Sequence, residues 1–320
     1  MEEQQPKPFV VGLDLGGTNS VFGIVNQRGE ILATSSIKTQ AYKNVDDFVK
    51  AGVECLLPII EEVGGIKQIK AMGIGAPNAN YYKGTVEYAP NLSWAHETVV
   101  PLAQMFSDKL GIPVGITNDA NAAAIGEMQY GAARGMKNFV MLTLGTGVGS
   151  GIVINGQLVY GCDGFAGELG HVTMVRENGR TCGCGRTGCL EAYCSATGVA
   201  RTAREWLDNT DEPSLLRKLD KISAKDVNDA ARQGDELSIR IFNYTGTLLG
   251  QSLADFVNFS APEAIVLFGG LARNKEFLTE PILRAMNENL LPLWKNKVKL
   301  VYTSLKESDA AILGASALAW

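Results

Sequence analysis

The sequence has little of what marks a secreted, membrane-bound or nucleic-acid-binding protein. Six cysteines in 320 residues are too sparse for a disulfide-stapled secreted scaffold. Basic residues (29) are outnumbered by acidic residues (34), so the chain lacks the basic excess that is typical of nucleic-acid binding. The first eight residues contain no apolar segment of the kind that a signal peptide needs. We therefore expect a cytoplasmic protein that binds no nucleic acid and no membrane.

Long apolar helices are also missing from the sequence. No charged residue occurs between Lys137 and Asp163, but six glycines interrupt that stretch. A transmembrane helix needs about 20 mostly apolar residues, so we interpret the stretch as buried strands around a glycine turn. What the sequence does contain is an ordinary globular composition, with 46% apolar and 20% charged residues and 36 glycines.

The length of the chain predicts two domains, at about 150 residues per domain. The segments 13–16 (LDLG) and 142–145 (LTLG) are similar, and each leads from an apolar run through a glycine turn into another apolar strand. This repetition favours two similar α/β halves, although a chance recurrence would look the same. We expect an N-terminal α/β domain over residues 1–118 and a larger α/β domain over residues 119–320. The C-terminal helix is able to pack back onto the first domain.

A glycine-rich turn follows a buried strand in each half. Such turns let backbone N–H groups point at an anion without obstruction by side chains, and the hydroxyl groups of Thr18 and Thr146 could add hydrogen bonds to phosphate oxygens. The carboxylate of Asp14 could hold a hydrated Mg²⁺. Two tight hairpin turns without a ligand are the alternative. The candidate phosphate-binding residues are Gly16, Gly17, Thr18, Asn19, Gly145, Thr146 and Gly147.

Other phosphate, nucleotide and hydrolase motifs do not occur in the sequence. The chain has no G-x-x-x-x-G-K-[ST] loop, and Ser150 stands where a dinucleotide fingerprint needs its third glycine. No G-x-S-x-G pattern surrounds Ser150, so the nucleophile elbow of a hydrolase is not supported.

One histidine and three cysteines are spaced like metal ligands. His171, Cys182, Cys184 and Cys189 form the pattern H-x10-C-x-C-x4-C within the glycine-rich loop 171–189. Three thiolates and one imidazole suit tetrahedral Zn²⁺. Four protein ligands would leave no open position on the ion, so the zinc would be structural. Reduced cysteines with accidental spacing are the alternative, and a disulfide is disfavoured in a reducing cytosol.

Two carboxylates flank this cluster. Glu168 lies three residues before His171, and Glu191 lies two residues after Cys189. Bound zinc would therefore draw Glu168, His171 and Glu191 together. Such a set can hold vicinal hydroxyl groups, and ordinary solvated surface charge is the alternative.

Asp119 stands between a predicted strand and a predicted helix. An aspartate in that position can cap the helix, which stabilises it by about 1 kcal/mol. It can also act as a general base, because its ordinary pKa of about 3.9 leaves it ionised at neutral pH. A base this weak accepts the proton late, as a hydroxyl attacks a loose phosphoryl group. The residues alone leave both interpretations open.

Several segments resemble the motifs of the ROK family, which contains bacterial sugar kinases and sugar-responsive repressors. They are residues 14–18 (DLGGT), 144–151 (LGTGVGSG) and 167–171 (GELGH). Residues 182–193 (CGCGRTGCLEAY) are similar to the family's zinc-binding signature, and residues 267–271 (LFGGL) to its adenosine-side turn. The resemblance implies an actin-like ATPase (ribonuclease H-like) fold, in which two α/β domains enclose a central cleft.

The resemblance also implies roles for individual residues toward ATP, Mg²⁺ and a hexose. Asp119 matches the catalytic base, and the two glycine turns match those that face the ATP phosphates. His171 would serve both zinc and sugar through different ring nitrogens. Position 78 is more often glycine in the family, and asparagine tolerates the same left-handed backbone. The residues that match the sugar site are Asn78, Asn91, Asn118, Asp119, Glu168, His171 and Glu191, and those on the adenosine side are Gly269 and Gly270.

The implied activity is ATP-dependent transfer of the γ-phosphoryl group to the 6-hydroxyl of a hexose. The form of the cysteine segment favours family members that act on glucose over the fructokinase branch, with N-acetylglucosamine, mannose or fructose as alternative substrates. A repressor of the family would carry a helix-turn-helix segment before the first glycine motif, and we expect none because the segment before Asp14 is too short to hold one. A sugar-responsive regulator without its DNA-binding domain is the further alternative. A homodimer is expected, as is common in the family.

Overall fold

The protein divides into two compact units. The structure is a computed structural model that describes residues 7–320, apart from the side chains of Glu307 and Ser308. The first unit comprises the chain up to residue 135 together with residues 158–166 and 304–320, and the second comprises residues 136–157 and 167–303. Among the described residues, no helix is long and apolar enough to cross a membrane.

Groups of strands are separated by helices along the chain, and four consecutive α-helices lie between residues 158 and 264. In chain order they are β1 (Phe9–Leu15), β2 (Ser20–Asn26), β3 (Ile31–Ile37), α1 (Val45–Glu62), β4 (Ile69–Ala76), β5 (Ala79–Asn80), β6 (Thr85–Glu87), β7 (Val99–Val100), α2 (Leu102–Leu110), β8 (Val114–Asn118), α3 (Asp119–Tyr130), β9 (Phe139–Leu144), β10 (Val148–Ile154), β11 (Gln157–Leu158), α4 (Glu191–Cys194), α5 (Ala196–Asp208), α6 (Ala224–Arg232), α7 (Glu236–Ser260), β12 (Ala264–Phe268), α8 (Lys275–Asn289), β13 (Lys299–Tyr302) and α9 (Glu307–Ala317).

The main sheet of the first unit has the strand order β3-β2-β1-β4-β8. Strands β1, β2 and β3 are antiparallel neighbours, whereas β1, β4 and β8 run parallel. Strands β1 and β4 are nearly continuous apolar runs and are largely buried, as is typical of parallel strands in an α/β sheet. Because the three parallel strands end at the same edge of the sheet, that edge positions Asp14 and Asp119.

Helix α1 runs unbroken through Pro58, although a proline inside a helix usually kinks or breaks it. Leu56 and Ile60, on either side of the proline, are fully buried in the hydrophobic core of the first unit. Their burial offsets the backbone hydrogen bond that proline cannot donate, so tertiary packing overrides the local preference.

The sheet of the second unit repeats this arrangement, with the strand order β11-β10-β9-β12-β13. The antiparallel hairpin of β9 and β10 is followed by the parallel strands β12 and β13, as β1 and β2 are followed by β4 and β8. The glycine turns at residues 16–17 and 145–147 occupy equivalent places in the two sheets. The prediction of two similar α/β halves is therefore confirmed.

The C-terminal helix α9 belongs to the first unit, where the sequence allows it to pack. It packs against β1, β4 and α3. A Cβ at Gly12 would lie 2.3 Å from the carbonyl oxygen of Ile312, and one at Gly73 would lie 1.9 Å from that of Ala315. Glycines in both strands thus permit the close approach of the helix. Because α3 packs with α9, the first unit extends through residue 135 and does not end at the expected boundary between residues 118 and 119.

Candidate active site and metal centre

The predicted site residues fall into two sets, one in each unit. In both units a glycine turn follows the carboxyl end of the central strand of the sheet. The set in the first unit is Asp14, Gly16, Gly17, Thr18, Asn19, Asn78, Asn91, Asn118 and Asp119. The set in the second unit is Gly145, Thr146, Gly147, Glu168, His171, Cys182, Cys184, Cys189, Glu191, Gly269 and Gly270.

Asp14 and Asp119 stand at neighbouring strand ends of the first unit. Asp14 pairs in register with Gly75 of β4, and Gly75 pairs with Thr117 of β8, two residues before Asp119. Desolvation by burial, and then repulsion from Asp119, raise the pKa of Asp14 to about 6. Solvent reaches the side chain of Asp119, but protein atoms crowd around it, and this desolvation raises its pKa above the ordinary value of 3.8. Two crowded carboxylates of this kind favour a divalent cation.

The N-cap of α3 is Asn118, not Asp119. The side chain of Asn118 accepts a hydrogen bond from the backbone N–H of Asn121 (3.0 Å), which satisfies one of the unpaired donors of the first helical turn. Asp119 is the first helical residue, and its Oδ1 accepts from the N–H of Ala120 (2.8 Å). The interpretation of Asp119 as the helix cap is therefore wrong, whereas its role as a base stays a prediction.

The first glycine turn adjoins Asn91. The turn closes with a hydrogen bond from the N–H of Gly16 to the carbonyl oxygen of Asn19 (3.0 Å). A Cβ at Gly17 would lie 3.0 Å from the backbone oxygen of Asn91, so the fold brings these two predicted residues together. A pocket of about 470 Å³ opens here, and its lining includes Gly17, Thr18, Thr39, Gln40, Asn91 and Ser93. These polar groups could bind hydroxyl or phosphate oxygens.

Asn78 has the left-handed backbone that the resemblance implies for its position. Its φ is 51°, a conformation that asparagine adopts more easily than most residues with a Cβ. Its Nδ2 donates a hydrogen bond to the carbonyl oxygen of Tyr88 (3.1 Å). A side-chain hydrogen bond thus accompanies the left-handed conformation of Asn78 after β4.

Glu191 joins the second glycine turn to the cysteine cluster. Its Oε2 accepts a hydrogen bond from the N–H of Val148 (2.9 Å), and its Oε1 accepts one from the thiol of Cys182 (3.4 Å). A Cβ at Gly147 would lie 2.4 Å from Oε2, so the turn has room for this carboxylate only because residue 147 is glycine. The sequence predicts Glu191 as a sugar ligand but does not predict its contact with the turn.

Four side chains form a candidate metal centre. The ligand atoms of His171, Cys182, Cys184 and Cys189 all lie within 4.8 Å of one another. The Sγ atoms of Cys184 and Cys189 are 3.7 Å apart, and Cys182 Sγ lies 3.8 Å from His171 Nδ1. Tetrahedral zinc with Zn–S bonds of about 2.3 Å needs sulfur atoms about 3.8 Å apart, so these residues fit the ion. A hydrogen bond from the backbone of Arg186 lowers the pKa of Cys184, whereas burial raises the pKa of Cys182 and of Cys189, so a metal would have to displace the protons of these two thiols.

The two ring nitrogens of His171 face different partners. Nδ1 lies on the side of Cys182, whereas Nε2 lies 3.9 Å from Oε2 of Glu168. One imidazole can therefore bind a metal through Nδ1 while Nε2 remains beside the carboxylate of Glu168. This is the geometry that a shared role in metal and sugar binding requires.

Arg180 anchors the candidate metal-binding loop, although no sequence pattern marks this residue. Its guanidinium, only 8% exposed, donates to Oε2 of Glu205 (3.0 Å from Nε) and to the carbonyl oxygens of Ala192 (3.1 Å) and Gly198 (3.3 Å). It also stacks on the ring of Tyr193, 4.5 Å from the centroid. No spacing rule marks such a residue, because its partners are backbone groups and a carboxylate that only the fold brings close.

The predicted adenosine-side turn lies next to the second glycine turn. Phe268, at the end of β12, pairs with Thr143 of β9, and Gly269 and Gly270 follow directly. Gly269 has a left-handed backbone (φ 97°). The two turns leave adjacent strand ends of one sheet, as is needed if one receives the phosphates of a nucleotide and the other its adenosine.

Several known proteins are similar to this chain in sequence and in fold. The sequence profile of the ROK family matches residues 10–320. A glucokinase of Thermotoga maritima is 36% identical over 318 residues, which cover 98% of each chain. The crystal structure of a ROK family glucokinase from Streptomyces griseus, in complex with glucose and AMPPNP, is similar with a TM-score of 0.76 at 34% identity, covering 97% of this chain and 98% of that one. A putative xylose repressor of Caldicellulosiruptor is 28% identical, covering 97% of this chain and 77% of the repressor.

These similarities extend over nearly the whole chain and include the segments from which the resemblance was drawn. They confirm the predicted actin-like ATPase fold, which ROK sugar kinases have. With the family profile matched from residue 10 to residue 320, the chain belongs to the ROK family.

Proposed function

We propose that the chain is an ATP-dependent hexose kinase that transfers the γ-phosphoryl group of ATP to the 6-hydroxyl of glucose. The similarity to glucokinases at 36% and 34% identity supports this activity, and AMPPNP in the S. griseus structure is an analogue of ATP. The observation that carries the proposal is the placement of Asp119. Helix α3 is capped by Asn118 and not by Asp119, and the carboxylate of Asp119 stands near Asp14 at the strand ends.

Asp119 is the proposed general base. It would accept the proton of the 6-hydroxyl as the bond from that oxygen to phosphorus forms, which is late in a loose transition state. Desolvation raises the pKa of Asp119. A raised pKa brings the carboxylate closer to the working pH, where a base is most effective.

The glycine turns are the proposed phosphate sites. The backbone N–H groups of each turn and the hydroxyls of Thr18 and Thr146 would donate to phosphate oxygens. Mg²⁺ held through Asp14, usually with several waters, would offset the negative charge of the phosphates. The full proposed nucleotide set is Asp14, Gly16, Gly17, Thr18, Asn19, Gly145, Thr146, Gly147, Gly269 and Gly270.

The proposed sugar site combines amides and carboxylates. Glu168 and Nε2 of His171 lie close together in the second unit and can hold neighbouring hydroxyl groups. Glu191 is the third proposed ligand there. In the first unit Asn78, Asn91 and Asn118 are the proposed sugar contacts, beside Asp119.

The proposed zinc ion is structural. Its four protein ligands leave no open coordination position, so the ion would hold the loop and supply no catalytic water. The residues of the loop would in turn keep His171 in the orientation that leaves Nε2 toward Glu168.

The test of the proposal is an ADP-release assay with ATP and Mg²⁺. Glucose, mannose, fructose, N-acetylglucosamine and N-acetylmannosamine would be compared, with Asp119→Asn as the control. Turnover of glucose that is lost in the variant would support the proposal, and faster turnover of another sugar would reassign the substrate. The similarity to a xylose repressor keeps a second candidate, a sugar-responsive regulator. Sugar binding without any ADP release would favour it.

The reaction consumes ATP, so we propose that the protein works in the cytoplasm. A homodimer is the proposed assembly, without nucleic acid or membrane as a partner. Sedimentation equilibrium over a tenfold range of concentration would test the dimer, and a monomeric mass throughout would contradict it.

A further inference from the structure

Ser150 makes two backbone hydrogen bonds that the proposed mechanism does not use. It lies on β10, two residues after Val148, and is 5% exposed. Its Oγ donates to the carbonyl oxygen of Gly167 and accepts from the N–H of Leu169 (3.1 Å). One hydroxyl thereby holds the backbone on both sides of Glu168.

We propose that Ser150 is a positioning residue for hexose binding, because it fixes the backbone of Glu168 against the strand that follows the second glycine turn. The inference rests on the proposed function, in which Glu168 binds the sugar. Ser150 does not itself contact the reacting atoms in this proposal. It would change the affinity for the sugar only by changing the position of Glu168.

The segment around Glu168 also forms a turn, in which the N–H of His171 donates to the carbonyl oxygen of Glu168 (3.1 Å). Gly167 has a φ of 94°, a conformation that glycine adopts readily because it has no side chain. A Cβ at Gly170 would lie 2.0 Å from the carbonyl oxygen of Val148, which shows that the segment rests directly on the backbone of β10. The hydroxyl of Ser150 and this backbone contact therefore both tie the segment to β10.

Loss of the hydroxyl would leave the half-buried carbonyl group of Gly167 and the half-buried N–H group of Leu169 without this partner. Such groups are costly to leave unpaired, so the segment would move to satisfy them. The movement would begin at Gly167 and Leu169, which adjoin Glu168. A displaced carboxylate weakens sugar binding but leaves the proposed base, Asp119, unchanged.

Three variants test the role of the hydroxyl. Ser150→Ala removes it, Ser150→Thr keeps it, and Ser150→Val matches threonine in size without it. We expect the Kd of glucose, measured by calorimetry without nucleotide, to rise about tenfold in the alanine and valine variants. The threonine variant should remain within about threefold of the wild type. Since threonine and valine crowd the site equally, their difference reports the hydroxyl even if both lower the melting temperature.

The steady-state constants provide a second readout. In Ser150→Ala the KM of glucose should rise about as much as the Kd, while kcat changes less than about threefold. A kcat that falls tenfold with an unchanged KM would overturn the proposal, because it would place the effect in the chemical step.

A double-mutant cycle separates positioning from a general structural effect. Glu168→Ala removes the carboxylate, so Ser150→Ala should weaken glucose binding less than about twofold in that background. A further tenfold loss would mean that the two effects are independent and would overturn the proposal. A wild type that binds no hexose would refute the proposed function itself. A wild type that binds glucose no better than Ser150→Ala would refute only the role of Ser150.

Discussion

Replacement of Asp119 by asparagine tests the proposed chemistry most directly. The amide keeps the size of the side chain, and its oxygen can still accept the hydrogen bond from the N–H of Ala120 (2.8 Å). Helix α3 also keeps its cap, because Asn118 accepts the bond from Asn121. The variant loses a charge that desolvation disfavours. We therefore expect its melting temperature to stay the same or to rise slightly.

The expected effect on catalysis is much larger. General-base catalysis contributes about 10²–10⁴-fold to a rate, which corresponds to about 2.7–5.4 kcal/mol of transition-state stabilisation. We expect kcat for glucose to fall at least about 100-fold and the KM of glucose to change less than about threefold. Repulsion from Asp119 is one cause of the raised pKa of Asp14. Loss of the Asp119 charge should therefore lower the pKa of Asp14, so that more of Asp14 is ionised at pH 6 in the variant.

The assay is ADP release under saturating ATP, Mg²⁺ and glucose. Asp108→Asn is the matched control, because it makes the same chemical change at an exposed position on α2 of the same unit, and its kcat should be unchanged. A folded Asp119→Asn protein with near-normal kcat would refute the role of Asp119 as the base. It would also remove the main structural argument for a kinase.

Three further predictions concern the metal, the pH dependence and the loop anchor. Protein purified without added zinc should contain about one zinc per chain, and Cys184→Ser should lose both the metal and sugar affinity; a zinc-free variant with full affinity would refute this coupling. The KM of Mg²⁺–ATP should rise as the pH falls through about 6, where Asp14 takes up a proton, and a constant KM from pH 7.5 to 5.5 would contradict it. Since the pKa of Asp14 is raised on folding, the folded state binds the extra proton between about pH 4 and 6 and loses stability as the pH rises through that range. Asp14→Asn should therefore melt higher than the wild type at pH 7 without Mg²⁺, but not at pH 4. Arg180→Met should lower the free energy of unfolding by about 1–3 kcal/mol in urea, since the carbonyl oxygens of Ala192 and Gly198 lose a buried donor. The control is Arg204→Met on the exposed face of α5, and equal losses in both variants would count against the anchor.

The repeated hairpins could be predicted because their signal is local. In both halves an apolar run, a glycine turn and a second apolar run follow one another without interruption, and the strands pair across that turn. The extent of the first unit could not be predicted in this way. It depends on α9, which lies at the opposite end of the sequence from β1, and on the glycines at positions 12 and 73 that let the helix approach the sheet.

In the candidate site, too, the features with a local sequence pattern could be predicted and those that depend on the fold could not. The cysteine cluster could be predicted because the ligand spacing is itself a local pattern, and the sulfur distances fit it. The cap of α3 could not be assigned correctly because Asn118 and Asp119 are adjacent and both are good capping residues. Only the backbone geometry decides between them. Ser150 and Arg180 escape a sequence-based search because their partners are mostly backbone groups that no sequence pattern records.

Two side chains connect the second glycine turn to the proposed sugar ligands and the proposed metal ligands. Ser150 binds the backbone beside Glu168, and Glu191 accepts from the N–H of Val148 while its other oxygen lies 3.4 Å from Sγ of Cys182. The hairpin proposed to receive phosphate is therefore the same element that supports the proposed sugar ligands. If the loss of zinc loosens the loop, Glu191 would lose its hydrogen bond from Val148 as well as its proposed contact with the sugar. For this reason the loss of the metal should weaken the binding of the nucleotide together with that of the hexose, although the metal contacts neither in the proposed mechanism.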